Sequence, residues 1–399
     1  MLTHNYPRFK GDYAGVFLSL LAKKLHHFDI EPIILAPHAP GLKECEEIDG
    51  VKIYRFRYAE DENEVIAYQG NMHKIVLGSV SGIFQFKQFL NAFEKNTLTI
   101  IEKENIQLIA GHWLVPAGIV MKSLAKKTNI PMILSSHGTD IRLMRKYFAV
   151  LYRYLKNFCL TLKSWTVVSS FLQNGILEMD NRLDNILEVL PMPHDESIFY
   201  KDDTIERDEN LIVAVTRFTD QKRVDKLIQA FALASEKNSL LKLKIYGAGQ
   251  QQSEIEALIN KLGLTEKSTI HAPLPQDELR KVYNQASIVI LNSFEEGFGL
   301  ALSESMLCGA AVIGTESGGI TDIIQHEKTG LLVPIDNPEK LSDAILRLSE
   351  DKQLRENLSK NGHDFATSTY QSKPLAGRYA EIIKEALQEP ISTCLKNAP

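Results

Sequence analysis

The residues with the clearest capacity for chemistry lie in Glu296-Gly-Phe-Gly-Leu-Ala-Leu-Ser-Glu304, which follows an apolar run at 287–292 and opens a helical pattern. Gly297 and Gly299 let the chain turn sharply and admit a ligand close to the backbone. The amides of Phe298, Gly299 and Leu300 then fall at a helix N-terminus, where unpaired N–H groups and the helix dipole favour a diphosphate. A carboxylate repels such a group but accepts hydrogen bonds from hydroxyls. Glu304, one turn into the helix, therefore suits a ribose diol, and Glu296 the hydroxyls of a second sugar. Taken singly, Glu296 reads equally well as a solvated loop residue, and Glu304 as a carboxylate stabilised by the dipole.

The wider pattern is Glu296-x7-Glu304 with its embedded Gly-Phe-Gly, then Met306-Leu-Cys-Gly309, Gly318-Gly319 and His326-Glu-Lys-Thr-Gly330-Leu-Leu-Val. It resembles the donor-binding domain of family 4 retaining glycosyltransferases (glycosyl transferases group 1) in detail from residue 211 to 343. The resemblance implies a two-domain GT-B fold and transfer of a hexose-type sugar from a nucleotide diphosphate sugar to a hydroxyl acceptor. That acceptor would be a glycan, a lipid-linked molecule or a small molecule. Transfer would retain the anomeric configuration, by attack from the face that the diphosphate leaves. Arg217 and Lys222, at the end of strand 211–217 and in the next loop, would neutralise the departing diphosphate. His137, in Ser135-Ser-His137-Gly-Thr-Asp140, would touch the donor sugar. Gly11 would approach the donor phosphate, and Gly247 would belong to the donor site: Tyr246-Gly247-Ala-Gly249 follows a strand as the family's Gly-x-Gly turn does, though it lacks the third glycine of a dinucleotide fingerprint. Asp12, Trp113 (in His112-Trp113) and Asp140 are candidates for the acceptor side, and Asp195 fits the crossover between domains. The chain departs from the family at Asp12, Thr216 and Arg223, where glycine is usual, and at Ala301, where proline is frequent.

These residues need strand ends to carry them. Met1-Leu-Thr-His4 reads as the last piece of a strand; a turn-rich stretch at 7–12 and a helix at 15–28 follow. Apolar runs at 33–36, 53–56, 108–111, 131–136, 165–169 and 186–190 alternate with helical patterns, and the series restarts at 211–217, 241–246, 268–272, 287–292, 310–314 and 330–333. Alternation of this kind predicts two tandem Rossmann-like, doubly wound parallel-sheet domains, α/β in class, facing a central cleft. The boundaries are an acceptor-side domain at 1–195 and a donor-binding domain at 196–370, with a hinge near 191–210. Helices at 338–349, 351–366 and 374–387 close the chain, the last packing back on the first domain, with a frayed tail from Glu389.

A length of 399 residues exceeds one ordinary core, and 44% hydrophobic with 24% charged residues is a globular composition. A net charge of −5 gives no general attraction to nucleic acid. Cys45, Cys159, Cys308 and Cys394 are scattered without metal or disulfide spacing, which suits a reducing cytosol. No secretory signal or membrane-spanning run is present, so a cytoplasmic protein is expected. No cofactor is implied, and no metal: Asp-x-Asp is absent and Glu60-Asp-Glu62 reads as a solvated loop. Residues 141–177 hold no acid, while Arg142, Arg145, Lys146, Arg153, Lys156 and Lys163 alternate with Tyr147, Phe148, Tyr152, Tyr154 and Phe158. That segment, 141–163 above all, reads as a packed helix with a basic outer face, or as a contact for anionic membrane or a phosphorylated acceptor. Competing functions are a sugar-nucleotide epimerase of the same fold, a catalytically silent sugar-nucleotide-binding subunit and, further off, a nicotinamide dehydrogenase.

Overall fold

The computed structural model describes residues 1–388 other than 10, 13, 69–71 and 148, and leaves aside the side chains of 146, 147 and 149. The tail from Glu389, with Cys394, lies outside the described residues, as do Phe148 and the side chains of Lys146 and Tyr147. The chain forms two compact units, one from Met1–Pro193 with Ser372–Pro399, the other from His194–Gln371.

In the first unit the strands are β1 (Ile33–Pro37), β2 (Cys45–Ile48), β3 (Val51–Phe56), β4 (Ile109–His112), β5 (Met132–Ser136), β6 (Ser164–Val167) and β7 (Leu187–Val189). They run in the orders β1-β3-β2 and β4-β5-β6-β7, and Leu2 joins the two groups by parallel bridges to Leu35 and Gly111. The segment read as a strand end is thus a single rung between β1 and β4: Leu2 N–H donates to the Ala110 carbonyl and His112 N–H to that of Leu2. All pairings are parallel except β2 with β3. β2 (Cys-Glu-Glu-Ile) escaped the periodicity because it is an edge strand with alternating exposure and no buried face. The helix Ser372–Gln388 completes this unit. Its Ala376, Tyr379, Ala380 and Ile383 pack with Leu21, Leu25, Ala110 and Ile133 in one apolar cluster.

In the second unit the strands are β8 (Asp208–Val215), β9 (Lys242–Tyr246), β10 (Ser268–His271), β11 (Ala286–Leu291), β12 (Ala311–Thr315) and β13 (Leu331–Val333). Their order is β10-β9-β8-β11-β12-β13, every pair parallel. Both faces of such a sheet are covered, and β11 is accordingly apolar and buried along its whole length. β8 starts at Asp208, so the charged residues 208–210 assigned to a linker are the solvated first rungs of a strand.

The second unit has the doubly wound order 3-2-1-4-5-6, and the first repeats it as β3-β1-Leu2-β4-β5-β6 when the Leu2 rung is counted as its first strand, with the antiparallel β2 added at one edge and β7 at the other. Strand order reverses between β8 and β11 in one unit, and between the Leu2 rung and β4 in the other. In open α/β sheets a ligand binds beyond the carboxyl ends of the strands at that reversal.

Candidate active site

At the carboxyl end of β11 the chain turns through residues 292–299 into the helix Leu300–Leu307, whose N-cap Gly299 has φ 115° and ψ 48°. A side chain there would be strained by that backbone alone. The turn is held from the β12 side. Glu296 carbonyl accepts from Gly319 N–H at 2.7 Å, Ser317 Oγ accepts from Glu295 N–H at 2.8 Å and Thr315 Oγ1 donates to the Ser293 carbonyl at 2.6 Å. Gly318, with φ 66°, lies so close that a Cβ would stand 2.3 Å from the Glu296 oxygen. From the β8 side Gln221 carbonyl accepts from Phe294 N–H at 2.7 Å, and Gln221 Nε2 donates to the Glu295 carbonyl at 3.1 Å.

These clamps bring Lys222 against Glu296. The ammonium donates to Glu296 Oε2, and the two side chains are 11% and 14% exposed. Burial pushes the Glu296 carboxyl upward, but the charge and hydrogen bond of Lys222 and the charge of Arg217 outweigh it and hold it below its usual range. Arg217 itself is exposed at the end of β8. The sequence assigned Lys222 to a phosphate and Glu296 to a sugar separately; the structure makes them one buried pair.

Glu304 lies deeper. Its carboxyl is pushed up to about 8 by burial, against which a hydrogen bond from Tyr283 Oη at 3.2 Å acts only partly, so it is mostly protonated at neutral pH. The Phe298 ring is buried against Tyr370, with centroids 5.5 Å apart. Gly247 and Gly249 answer to the neighbouring loop: a Cβ on Gly247 would meet the Thr216 carbonyl oxygen at 1.8 Å, and one on Gly249 that of Phe218 at 2.3 Å. Arg223 adopts φ 46° and ψ 40° as it opens the helix Val224–Lys237, the left-handed conformation that makes glycine usual at this position. Its guanidinium pairs with Asp336 at 3.0 Å.

The reversal point of the first unit gathers a different set. His112 Nδ1 lies 3.1 Å from His137 Nε2, Trp113 packs on His137 with centroids 4.5 Å apart, and Phe17 and His4 close the group at 4.8 Å from His137 and 4.7 Å from Trp113. Burial drives all three imidazoles to the neutral form: His4 to about 4, His137 to about 3, and His112 well below its ordinary value. His4 Nδ1, His112 Nε2 and His137 Nδ1 are buried without a partner among the described residues. Trp113 holds φ 66°, a left-handed conformation that costs an L-residue about 1–2 kcal/mol.

Asp12 and Asp140 are committed to their own loops. Asp12 accepts from Arg8 Nε at 2.7 Å, Arg8 Nη2 at 3.1 Å and two backbone amides, and is held below its usual range because these bonds outweigh the effect of burial. Asp140 accepts from Leu114 N–H at 2.7 Å and Gly138 N–H at 3.2 Å; its carboxyl is raised because burial outweighs those bonds. Gly11 has φ 89° and open space around it, whereas Gly15 is a glycine by necessity: a Cβ would stand 2.4 Å from the Asn5 carbonyl oxygen. His4, Phe17, Gly15, Ser293 and Ser317 were not singled out from sequence. None carries a motif, and only the Leu2 rung places His4 beside β4. Asp195 caps its own turn through Ser197.

The basic segment divides into the helices Thr139–Tyr147 and Ala149–Cys159. Tyr152 and Phe158 are buried, Arg145 pairs with Glu178 at 2.6 Å and Tyr152 Oη donates to Asp180 at 3.0 Å, so much of the segment serves internal packing. A cavity of about 580 Å³ lies beside it, lined by Arg145, Arg153, Lys156, Arg182, Glu178 and Asp180 among others. Among the described residues one histidine–carboxylate group has cation-binding spacing, His38 with Asp61 and Glu64. Both ring nitrogens of His38 are occupied, Nδ1 by Glu64 at 2.6 Å and Nε2 by the Leu42 carbonyl at 2.9 Å, and Asp61 pairs with Arg57, so the group is already satisfied. No described helix is long and apolar enough to cross a membrane.

Residues 196–365 match the family described as glycosyl transferases group 1, and residues 14–191 that described as glycosyltransferase family 4. An uncharacterized glycosyltransferase of Methanocaldococcus jannaschii is 30% identical over 316 residues, 78% of this chain and 86% of its own. The solved sucrose-phosphate synthase from Thermosynechococcus elongatus superposes with a TM-score of 0.78 at 19% identity, over 93% of this chain and 92% of its own. Anabaena HepE, solved in complex with UDP-glucose, superposes with a TM-score of 0.73 at 15% identity, over 96% and 98%. At those identities the likeness is one of fold, the GT-B fold. By sequence, fold and the glycine-clamped turn together, the chain belongs to the group 1 (family 4) glycosyltransferases, which transfer a sugar from a donor.

Proposed function

We propose that the second unit binds a nucleotide diphosphate sugar and that a hexose-type sugar passes from it to a hydroxyl acceptor with retention and without a metal ion. The carrying observation is the Lys222–Glu296 pair beside the Gly299-capped helix at the sheet reversal. A cation beside a helix N-terminus suits a diphosphate, and a carboxylate suits sugar hydroxyls, which supports this reading. In this reading Lys222, Arg217 and the amides of Phe298, Gly299 and Leu300 take the charge of the leaving diphosphate. Glu296 orients the sugar, and Glu304 meets the ribose diol. The leaving oxygen accepts the acceptor's proton, in keeping with a His137 imidazole too weakly basic to serve at neutral pH. Gly247 shapes the loop under Thr216, and Gly11 is assigned to the donor phosphate. The unpartnered imidazole nitrogens next to Trp113 and Phe17 supply both hydrogen bonds and an aromatic face, which suits a hydroxylated ligand on the first unit. UDP-glucose, the compound in the HepE complex, is the first donor to try.

A thermal-shift panel of UDP-, GDP- and ADP-sugars, followed by donor hydrolysis and product stereochemistry, tests the reading. Stabilisation by one class and an α-linked product from an α-linked donor are expected. The absence of any stabilisation would overturn donor binding, and an epimerised free nucleotide sugar would establish the epimerase instead. EDTA is expected to leave transfer unchanged. Contact of 141–163 with anionic lipid belongs to the same proposal, with Arg153, Lys156 and the half-exposed Tyr154 as its outward groups, as does work at the cytoplasmic face.

A further inference from the structure

Glu104, at the end of the helix Val80–Glu104, accepts from Lys52 near the start of β3 at 2.9 Å, while Phe93 stacks on Phe56 at the end of that strand, with centroids 4.6 Å apart. Phe89 meets Phe56 at 5.1 Å and is the last large side chain, counting toward the start of the helix, that is fully buried. At ~1.5 Å per residue, residues 80–88 carry the helix ~13 Å beyond the carboxyl end of the strand. A shorter helix, Met72–Gly78, folds against this overhang: a Cβ on Gly82 would stand 2.0 Å from the Ile75 carbonyl oxygen, and Ser79 Oγ caps the second helix by accepting from Gly82 N–H at 3.0 Å. The elbow is therefore closely packed, yet its tip is apolar and bare. Leu77, Val80, Ile83 and Phe84 are 56%, 85%, 57% and 60% exposed.

Contiguous exposed apolar groups mark an interaction surface. The charge around them selects the partner. Residues 65–93 contain no aspartate or glutamate and contribute His73, Lys74 and Lys87. A helical tip with bare aliphatic and aromatic side chains, in a stretch whose charged residues are all basic, complements the headgroup boundary of an anionic bilayer, where such faces settle ~5–10 Å deep.

We infer that the elbow formed by residues 72–87 docks the protein on an anionic lipid surface. It does so apart from segment 141–163, whose aromatic residues Tyr152 and Phe158 face inward. The inference stands on the overhang and its composition, and holds whichever sugar is transferred.

Co-sedimentation of the full chain with phosphatidylglycerol/phosphatidylcholine vesicles at low salt tests it. Binding is expected with those vesicles and not with phosphatidylcholine alone. Ile83→Ser with Phe84→Ser should weaken it more than ~10-fold by removing buried apolar area, Lys87→Gln about fivefold, and Arg153→Ala with Lys156→Ala less than the Ile83/Phe84 pair. All of these positions are exposed, and circular dichroism checks the fold. As a readout that leaves the surface whole, Val80→Trp should show an emission shift to the blue with anionic vesicles only. Failure of the wild type to sediment with anionic vesicles would overturn the inference, as would full binding by the Ile83/Phe84 variant or no shift from the Val80→Trp probe. A concentration-dependent dimer that Phe84→Ser abolishes, without vesicle binding, would assign the tip to a second copy of the chain.

Discussion

The two units share a core strand order and place their candidate residues at the same reversal of that order, yet they furnish it in opposite ways. In the second unit three loops converge, glycines admit close backbone approach, and a buried Lys222–Glu296 pair sets fixed charge. In the first unit the same position is filled by His4, His112 and His137, all driven neutral, packed with Trp113 and Phe17. The scaffold specifies where a ligand goes; the loops decide whether it meets charge or a neutral aromatic wall. A diphosphate belongs with the first kind of environment, and a hydroxylated group without charge is compatible with the second.

The comparison breaks most readily at Lys222. Lys222→Ala should lower steady-state turnover by ~10²–10³, as loss of one charge-stabilising donor does elsewhere. It also strands Glu296 in a buried site, so a fall in the melting temperature should accompany it, and Glu296→Gln in the same chain should recover the melting temperature but not the rate. A variant with wild-type turnover would remove Lys222 from the reaction.

Next in size are the glycines. Gly318→Ala combines a left-handed backbone with a clash against Glu296, and should cost about 2–4 kcal/mol in chemical denaturation. Gly11→Ala, where open space surrounds the site, should cost only the backbone strain of about 1–2 kcal/mol. Equal costs would mean that the Gly11 and Gly318 loops are not built differently.

The units should also respond oppositely to acid. The Glu304 carboxyl is raised in the fold, so the stability its neutral form brings is full below its ordinary value of 4.5 and is lost as pH climbs through about 8. His4 and His137 are depressed from 6.5 to about 4 and 3, so the stability of their neutral forms is full above 6.5 and is lost as pH falls through those values. Asp140 opposes them as a single raised carboxyl. Both tryptophans, Trp113 and Trp165, belong to the first unit, so their emission reports that unit alone. From pH 6.5 to 5 the emission-detected transition should move to lower temperature. Glu304→Gln should flatten the fall in circular-dichroism stability between pH 5 and 8 and leave the emission transition in place. The smallest effect is at Arg223→Gly, which relieves a left-handed residue but gives up the Asp336 pair, and should change stability by less than ~1 kcal/mol.

Much of this was legible in the chain. Alternating apolar runs placed all six strands of the second unit, because a sheet covered on both faces writes itself as continuous hydrophobic sequence. Gly-Phe-Gly marked its helix entry because backbone conformation and side-chain absence are written in residue type. What escaped depended on distance along the chain. That Lys222 meets Glu296 follows from Gln221 bridging two loops 74 residues apart. That His4 belongs with His137 follows from a single Leu2 rung. The protonation of Glu304 follows from burial against Tyr283, which no spacing announces.

The return of the chain has a consequence for its synthesis. His194 N–H donates to the Tyr370 carbonyl at 3.1 Å, so the second unit begins and ends at neighbouring points, as an insertion within the first. The first unit needs Ala376, Tyr379 and Ile383 to finish a core begun at Leu21 and Leu25. On the ribosome, where domains otherwise tend to mature in the order they emerge, the second unit has all its residues in hand while the first still waits for its last helix. The later-made half is thus able to fold first, and the earlier half must remain incomplete until the helix Ser372–Gln388 has been made.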